Sequence, residues 1–518
     1  MTFRLLHHGL DAHAVSTPGA ELLITHAPSA ARLGYGDVAR ASNRMARTLV
    51  RLGVRPGDRV LVLAANGAEY VAAFFGASKA GAVVVPVNTA TDPKSLAFVV
   101  RDSGAAVLVV GPRMEKLVVR ALADAPRPPT LIVDGAAVGI VAKELPHAVV
   151  VPADDVARES DDAFEVRRID ADLAAIVYTS GSTGAPRGAM LSHLALVTNA
   201  TSIVEYLGLT AADRTLVVLP FFYVYGQSLL TTATIVGASL VVENRFQYVN
   251  VALDTLENEK CTGLAGVPST FAILLDRSNF ASRAHEHLRW VSQAGGGMSP
   301  TLTRRLMEAL PGIRIHVMYG ATEASARLAH VPPDELATCV GAIGRAIPNV
   351  ELTVRRADGS VTDDDEPGEL FARGSNLMLG YWNAPDETAR VLGPFGYATG
   401  DLVTRDARGI LRVVGRKTEM LKVGGHRVSA KEVEEAVAEH PAVSEVAVVG
   451  IEDPILGHAL RAFVVRREGH DVDANGLGAF LQGRLAAYKV PGTLSFVDAL
   501  PKNASGKITK ADLVATAR

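Results

Sequence analysis

Gly181 and Gly184 stand in a run of hydroxyl residues that could cradle an anion, Tyr178-Thr-Ser-Gly-Ser-Thr-Gly-Ala-Pro-Arg-Gly188. Glycine lets a backbone approach a phosphate closely. Thr179, Ser180, Ser182 and Thr183 add hydroxyl donors and Arg187 adds positive charge, so the loop suits a polyphosphate. It is not a Walker A loop: counting from Gly181, Pro186 falls where the second glycine belongs and Arg187 where lysine belongs. A surface turn is the plainer reading of the same composition. Further along, Tyr319-Gly-Ala-Thr-Glu323 sets a carboxylate beside a hydroxyl and an aromatic ring. Glu323 is a hard oxygen ligand suited to Mg2+; alone, it would be a solvated loop carboxylate. Asp401 follows Thr399-Gly400, where an aspartate commonly serves a turn.

These residues need a scaffold, and the strand-like Ala174–Val177 leads straight into the first loop. From Leu33 to about Val242, helical spacing alternates with short β-branched runs, for example Tyr70–Ala80 before Ala82–Val87. That is the rhythm of βαβ units around a parallel sheet. Val60–Ala65 and Val107–Val110 are expected to be buried strands. Ala357–Gly368, with Asp-Gly at 358–359 and Pro-Gly at 367–368, points to hairpins. After Gly415-Arg416 comes a smaller mixed unit: helical Lys431–Glu439, strand-like Val446–Gly450 and Ala462–Val465, and helical Leu477–Ala487. The expected class is α/β, with a large N-terminal domain of several subdomains over residues 1–415 and a small α+β domain over 416–518. The boundary is expected near Arg416–Thr418.

A chain of 518 residues is too long for one compact core. With 48% hydrophobic and 21% charged residues it has an ordinary globular composition. The net charge of -3 supplies no basic field for nucleic acid or an anionic membrane, which leaves small molecules as the expected partners. Cys261 and Cys339 show neither disulfide-framework nor zinc spacing, which fits a reducing cytoplasm. Arg4, His7, His8, Asp11 and His13 interrupt the N-terminus, so no signal peptide is expected there. No apolar run approaches the roughly 20 residues of a membrane span.

The loop at 178–188 is followed in order by Gly295-Gly-Gly297, Tyr319–Glu323, Tyr397-Ala-Thr-Gly-Asp401, Gly415-Arg416, Lys422-Val-Gly-Gly425 and Pro501-Lys-Asn-Ala-Ser-Gly-Lys507. Over nearly the whole chain this series resembles the adenylate-forming superfamily: acyl- and aryl-CoA synthetases, adenylation domains of non-ribosomal peptide synthetases, and luciferases. The resemblance implies ATP-dependent activation of a carboxylic acid as an acyl-adenylate, pyrophosphate release, and transfer of the acyl group to CoA. It implies that Thr179, Ser180, Gly181, Ser182, Thr183 and Gly184, with Arg187, hold the phosphates of ATP. Gly295, Gly296 and Gly297 would let adenine lie on bare backbone, and Tyr319, beside Gly320 and Ala321, would stack on it. Thr322 would donate to the α-phosphate and Glu323 would bind Mg2+. Asp401 would accept both ribose hydroxyls, and Arg416 would reach ribose and phosphate. Lys507 would swing in from the small, mobile domain to offset the repulsion between carboxylate and α-phosphate. Gly424 and Gly425 would line a pantetheine tunnel, with Thr418 at the hinge.

Several positions depart from the family pattern. Arg187 replaces the usual lysine, keeping the charge but changing reach and donor number. Thr418 stands where aspartate or lysine is common. In Leu219-Pro-Phe-Phe-Tyr-Val-Tyr-Gly-Gln227, Tyr223 takes the place of a gating histidine and either gates the acid or packs. Val224 stands where amino-acid-activating relatives carry aspartate. An ammonium buried without a partner costs several kcal/mol, so an apolar acyl or aryl acid is expected over an α-amino acid. By analogy Val267, Gln293, Gly320 and Ala326 complete the acyl pocket. The same parts could serve an acyl carrier protein in place of CoA, and the resemblance also allows a homodimer. A silent nucleotide-binding protein would have no use for Lys507 beside Glu323, Asp401 and Arg416. A luciferase-like oxygenase would share the fold.

Overall fold

The computed structural model describes residues 3–26, 30–179, 186–417, 420–423, 426–453, 457–502 and 508–517. Two large sheets dominate it. In one, Leu173–Thr179, Val83–Pro86, Arg59–Leu63, Val107–Val110, Thr130–Val133 and Val150–Pro152 lie side by side and parallel. Arg187–Ser192 and Gly380–Tyr381 extend that sheet antiparallel. The other runs parallel through Glu21–Thr25, Ser239–Val242, Arg214–Val217, Gly263–Gly266, Trp290–Gln293 and Arg314–Tyr319, with antiparallel strands at both edges.

All four residues of Val107–Val110 are buried, as a strand covered on both faces requires. The helix Ala68–Lys79 buries Tyr70, Phe74 and Phe75 completely in the cluster that joins the two sheets. Three buried hydrogen bonds reinforce this junction. Asn66 donates to Leu219 O at 2.8 Å and accepts from Phe221 N at 2.7 Å, and Tyr70 Oη donates to Phe221 O at 2.9 Å. They fix the loop that leads to Tyr223.

Val350–Arg355 and Gly368–Gly374 form the expected hairpin around residues 356–367 and pair onward with Gly396–Arg405 and Leu411–Arg416. The last sheet joins Met420–Val423, His426–Ser429, Val443–Asp453, Gly457–Arg466 and Thr493–Phe496. Beside it lie the helices Ala430–Ala438, Ala474–Leu481 and Lys510–Ala517. The fold is thus α/β, with a large N-terminal domain and a small C-terminal α+β domain. One expectation overran: the helix foreseen over Leu477–Ala487 ends at Leu481. Gly483 takes φ 86°, which a continuing helix does not permit. Cys261 and Cys339 are buried free thiols. Among the described residues no helix is long and apolar enough to cross a membrane.

Candidate active site

Ligands of open parallel sheets bind beyond the carboxyl ends of the strands. Thr179 ends one strand of the first sheet and pairs with Arg187 on the antiparallel strand that follows, so the two residues flank the expected phosphate loop. Ser180, Gly181, Ser182, Thr183 and Gly184 lie outside the described residues. Arg187 Nη1 donates to Glu387 Oε2 at 3.1 Å, and its guanidinium lies 5.5 Å from the Tyr381 ring centroid.

In the second sheet the glycines at 295–297 follow Trp290–Gln293, and Gly320 follows Arg314–Tyr319. Gly295 takes φ 82°, and a Cβ there would stand 3.1 Å from Val267 Cγ1. A Cβ on Gly320 would collide with the carbonyl of Ala326. Thr322 and Glu323 occupy the short 3-10 turn Thr322–Ala324. Tyr381 Oη donates to Glu323 Oε1 at 2.7 Å. Since Tyr381 pairs with Ala189 in the first sheet, this bond fastens the two sheets across the site. Burial, then Glu323, raises the Tyr381 pKa, so the phenol stays a donor.

Asp401, on Gly396–Arg405, is 6% exposed and uses both oxygens. Arg416 Nε donates to Oδ1 at 2.8 Å and Tyr319 Oη to Oδ2 at 2.5 Å. Burial, then the Asp401 charge, raises the Tyr319 pKa well above its ordinary value. Glu323 Oε2 has no hydrogen-bond partner among the described residues. One free carboxylate oxygen fits Mg2+, which takes one or two protein carboxylates and completes its shell with phosphate and water.

Val267, Gln293 and Gly320 sit at the ends of adjacent parallel strands. Tyr223, Val224, Val267, Tyr319 and Ala321 pack half-buried against one apolar cluster. Tyr223 caps the helix Val224–Val236, and Asn88 Nδ2 donates to its hydroxyl at 3.4 Å. Gln293 is buried; its Nε2 donates to Gly296 O at 2.8 Å while its Oε1 has no partner among the described residues. Ala326 has φ 128° and Ser325 φ 57°, conformations that L side chains seldom adopt.

Thr418, Gly424, Gly425 and Lys507 lie outside the described residues. Sequence reasoning missed Tyr381, and it missed Arg327, a buried guanidinium 3.9 Å from the Tyr225 ring centroid. Tyr381 stands in Gly380-Tyr-Trp-Asn383, and its position before a turn was the available signal; Arg327 offered none, since an arginine after Ser-Ala looks like a surface charge.

The family model for the AMP-binding enzyme matches residues 10–382, and that for the AMP-binding enzyme C-terminal domain matches 432–507. The feruloyl-CoA synthase of an Amycolatopsis species is 32% identical over 484 residues, 93% of each chain. The structure of the anthranilate CoA ligase AuaEII in complex with anthranoyl-AMP aligns with a TM-score of 0.90 at 27% identity, over 99% of this chain and 97% of that one. ATP-bound MatB from Rhodopseudomonas palustris aligns at 0.87 and 28% identity, over 100% and 99%. This chain belongs to the AMP-binding enzymes, and within them it is an AMP-forming acyl-CoA ligase.

Proposed function

We propose that this ligase activates an uncharged apolar or aromatic carboxylic acid and passes it to CoA. The observation that carries the substrate class is the apolar wall of Tyr223, Val224 and Val267, packed on one cluster with Tyr319 and Ala321. The side chains of Val224 and Val267 offer neither an ammonium nor a second carboxylate an ion-pair partner, and a buried charge without one costs several kcal/mol. The feruloyl and anthranoyl groups of the relatives are acids of this kind.

In the first half-reaction a carboxylate oxygen attacks the α-phosphorus of ATP, the bond to the bridging oxygen breaks, and pyrophosphate leaves. Thr179–Gly184 and Arg187 would hold the phosphates, Thr322 the α-phosphate, Asp401 and Arg416 the ribose, and Gly295–Gly297 with Tyr319 the adenine. Glu323 would hold Mg2+, which supplies charge neutralisation to the phosphates when bound. Lys507 would lower the repulsion between the two reacting anions. In the second, the thiol sulfur of CoA attacks the acyl carbonyl, AMP leaves, and the pantetheine arm runs past Gly424 and Gly425. The small domain, residues 416–518, would turn near Thr418 between the two steps. A cytoplasmic setting supplies all the substrates.

A pyrophosphate-release screen over aliphatic, aromatic, dicarboxylic and α-amino acids tests this reading, with CoA and candidate carrier proteins then offered to the adenylate. Aliphatic or aromatic monocarboxylates should lead, and CoA should be consumed. Preference for an amino acid or a dicarboxylate, or thioester formed on a carrier protein alone, would overturn it.

A further inference from the structure

We propose that His7, His8 and Glu165 bind a divalent transition metal, zinc by the chemistry of its donors, as a clasp between the N-terminus and the segment leading to Leu173–Thr179. His7 and His8 open the first helix, His8–Ser16, and Glu165 lies in the stretch between Ala153–Ala157 and that strand. Both imidazole Nε2 atoms stand 3.5 Å from the same oxygen, Glu165 Oε1. No two of the three donor atoms are more than 4.8 Å apart.

That spacing is long for an N–H···O hydrogen bond, whose heavy atoms sit about 2.7–3.2 Å apart. Apart from this contact, Nε2 of the fully buried His7 has no hydrogen-bond partner among the described residues. Tetrahedral zinc, with bonds of about 2.0–2.2 Å, holds neighbouring donors roughly 3.3–3.5 Å apart. Two edges of such a polyhedron already have this length. The third closes by at most about 1.4 Å, within reach of the His8 side chain, which is 33% exposed.

The surroundings fit the same assignment. His7 Nδ1 meets Ser78 Oγ at 3.0 Å, the kind of outer contact that orients a metal-bound imidazole. Lys79 Nζ is taken by Asp11 Oδ1 at 2.5 Å and Asn43 Oδ1 at 2.7 Å, so it does not cap Glu165. Val166 N donates to Lys79 O at 2.8 Å and holds the Glu165 segment in place. Leu5 N–H approaches His8 Nδ1 at 3.4 Å; coordination through His8 Nε2 takes the other tautomer and releases this long contact. Two imidazoles and one carboxylate with a fourth position open is a donor set that zinc accepts. None of the three residues belongs to the catalytic set named above.

The test uses the full chain without an affinity tag, stripped with chelator and titrated with Co2+ and then Zn2+. One Co2+ per chain should bind with the visible absorption of a tetrahedral complex, Zn2+ should displace it, and Zn2+ should raise the Tm. His8→Ala and Glu165→Gln, both at partly exposed positions, should abolish the cobalt spectrum and the Tm response while leaving pyrophosphate release unchanged. Ser78→Ala should weaken binding by about 10–100-fold, as loss of an outer partner does. Absence of stoichiometric cobalt binding, or a tetrahedral spectrum that survives in both variants, would overturn the proposal. So would a Tm that falls in Glu165→Gln without metal and does not respond to Zn2+ in the parent, since the three residues would then be a plain imidazole–carboxylate contact.

Discussion

The Tyr319 hydroxyl donates to Asp401 Oδ2 at 2.5 Å, while Arg416 occupies Oδ1 at 2.8 Å. The carboxylate assigned to ribose is therefore already aimed by two protein donors, and a nucleotide would use its remaining lone pairs. Tyr319→Phe removes one donor and keeps the ring. A buried acceptor that loses a partner costs about 1–3 kcal/mol, so KM for ATP should rise by roughly tenfold with little change in kcat. Steady-state kinetics at saturating acid would show it, and an unchanged KM would separate Tyr319 from nucleotide binding.

Glu323 keeps one oxygen on Tyr381, and the other, without a hydrogen-bond partner among the described residues, is the one proposed to take Mg2+. Glu323→Gln should lower adenylation by about 10²–10³, the effect of losing one preorganised charge, and raise the Mg2+ concentration needed for half-maximal rate. Tyr381→Phe should cost less and shift the Mg2+ requirement less, because it frees the carboxylate without removing it. A Mg2+ dependence unaltered in Glu323→Gln would take this residue out of the metal site.

Ala326 is held at φ 128° by the turn that brings its carbonyl over Gly320. A non-glycine residue in such a region costs about 1–3 kcal/mol, while glycine adds roughly 0.5–1 kcal/mol of chain entropy. Ala326→Gly should therefore stabilise the fold by about 1 kcal/mol, and Gly320→Ala should strongly destabilise it. Denaturant midpoints measure both. A lower midpoint for Ala326→Gly would mean that the turn does not strain this residue.

His316 is buried, neither ring nitrogen has a hydrogen-bond partner among the described residues, and burial pushes its pKa down to about 3. The unfolded chain takes up this proton near the ordinary 6.5, the folded chain near 3. Between those values the unfolded state holds more protons, so acidification removes stability at about 1.4 kcal/mol per pH unit. Well above pH 6.5, where neither state binds the proton, the group contributes no slope. His316→Gln should flatten the loss between pH 6.5 and pH 5, read from unfolding midpoints across that window. Parallel curves for parent and variant would show that His316 does not titrate on unfolding.

What was legible in the sequence was local. Val107–Val110 announces a buried strand because four β-branched or apolar residues meet no turn signal. The Tyr319–Asp401 bond was not legible: it joins residues 82 apart and depends on how the third sheet docks on the second. Tyr381 gains its role from pairing with Ala189, which nothing in its own neighbourhood encodes. The helix at 474–481 was overrun because the apolar spacing continues to Leu485 while Gly483 ends it.

Arg467 of the small domain reaches the large one, where Asp276 Oδ1 accepts from its Nη1 at 2.8 Å and from Arg305 Nη2 at 2.6 Å. Arg467 is itself held by the carbonyls of Pro441 and Val443 at 3.0 Å, so the contact transmits force to the whole small domain. If that domain turns near Thr418 between adenylation and thioester formation, this ion pair belongs to one orientation only. A half-buried pair is worth about 1 kcal/mol, roughly fivefold in an equilibrium. Asp276→Asn should then slow one half-reaction and speed the other by up to that factor, whichever orientation the pair favours. Two further variants set the reference directions. Lys507→Ala should release pyrophosphate about 10²–10³ more slowly yet still convert supplied acyl-AMP to thioester. Gly425→Leu should form acyl-AMP at a near-normal rate and then stall if, as proposed, the pantetheine arm passes this residue, since a bulky side chain would obstruct it. Pyrophosphate release and conversion of synthetic acyl-AMP, measured separately in all three folded variants, give the answer. Opposite signs in Asp276→Asn support an alternating small domain latched by Arg467; equal losses in both steps for every variant would mean that a single arrangement carries out both reactions.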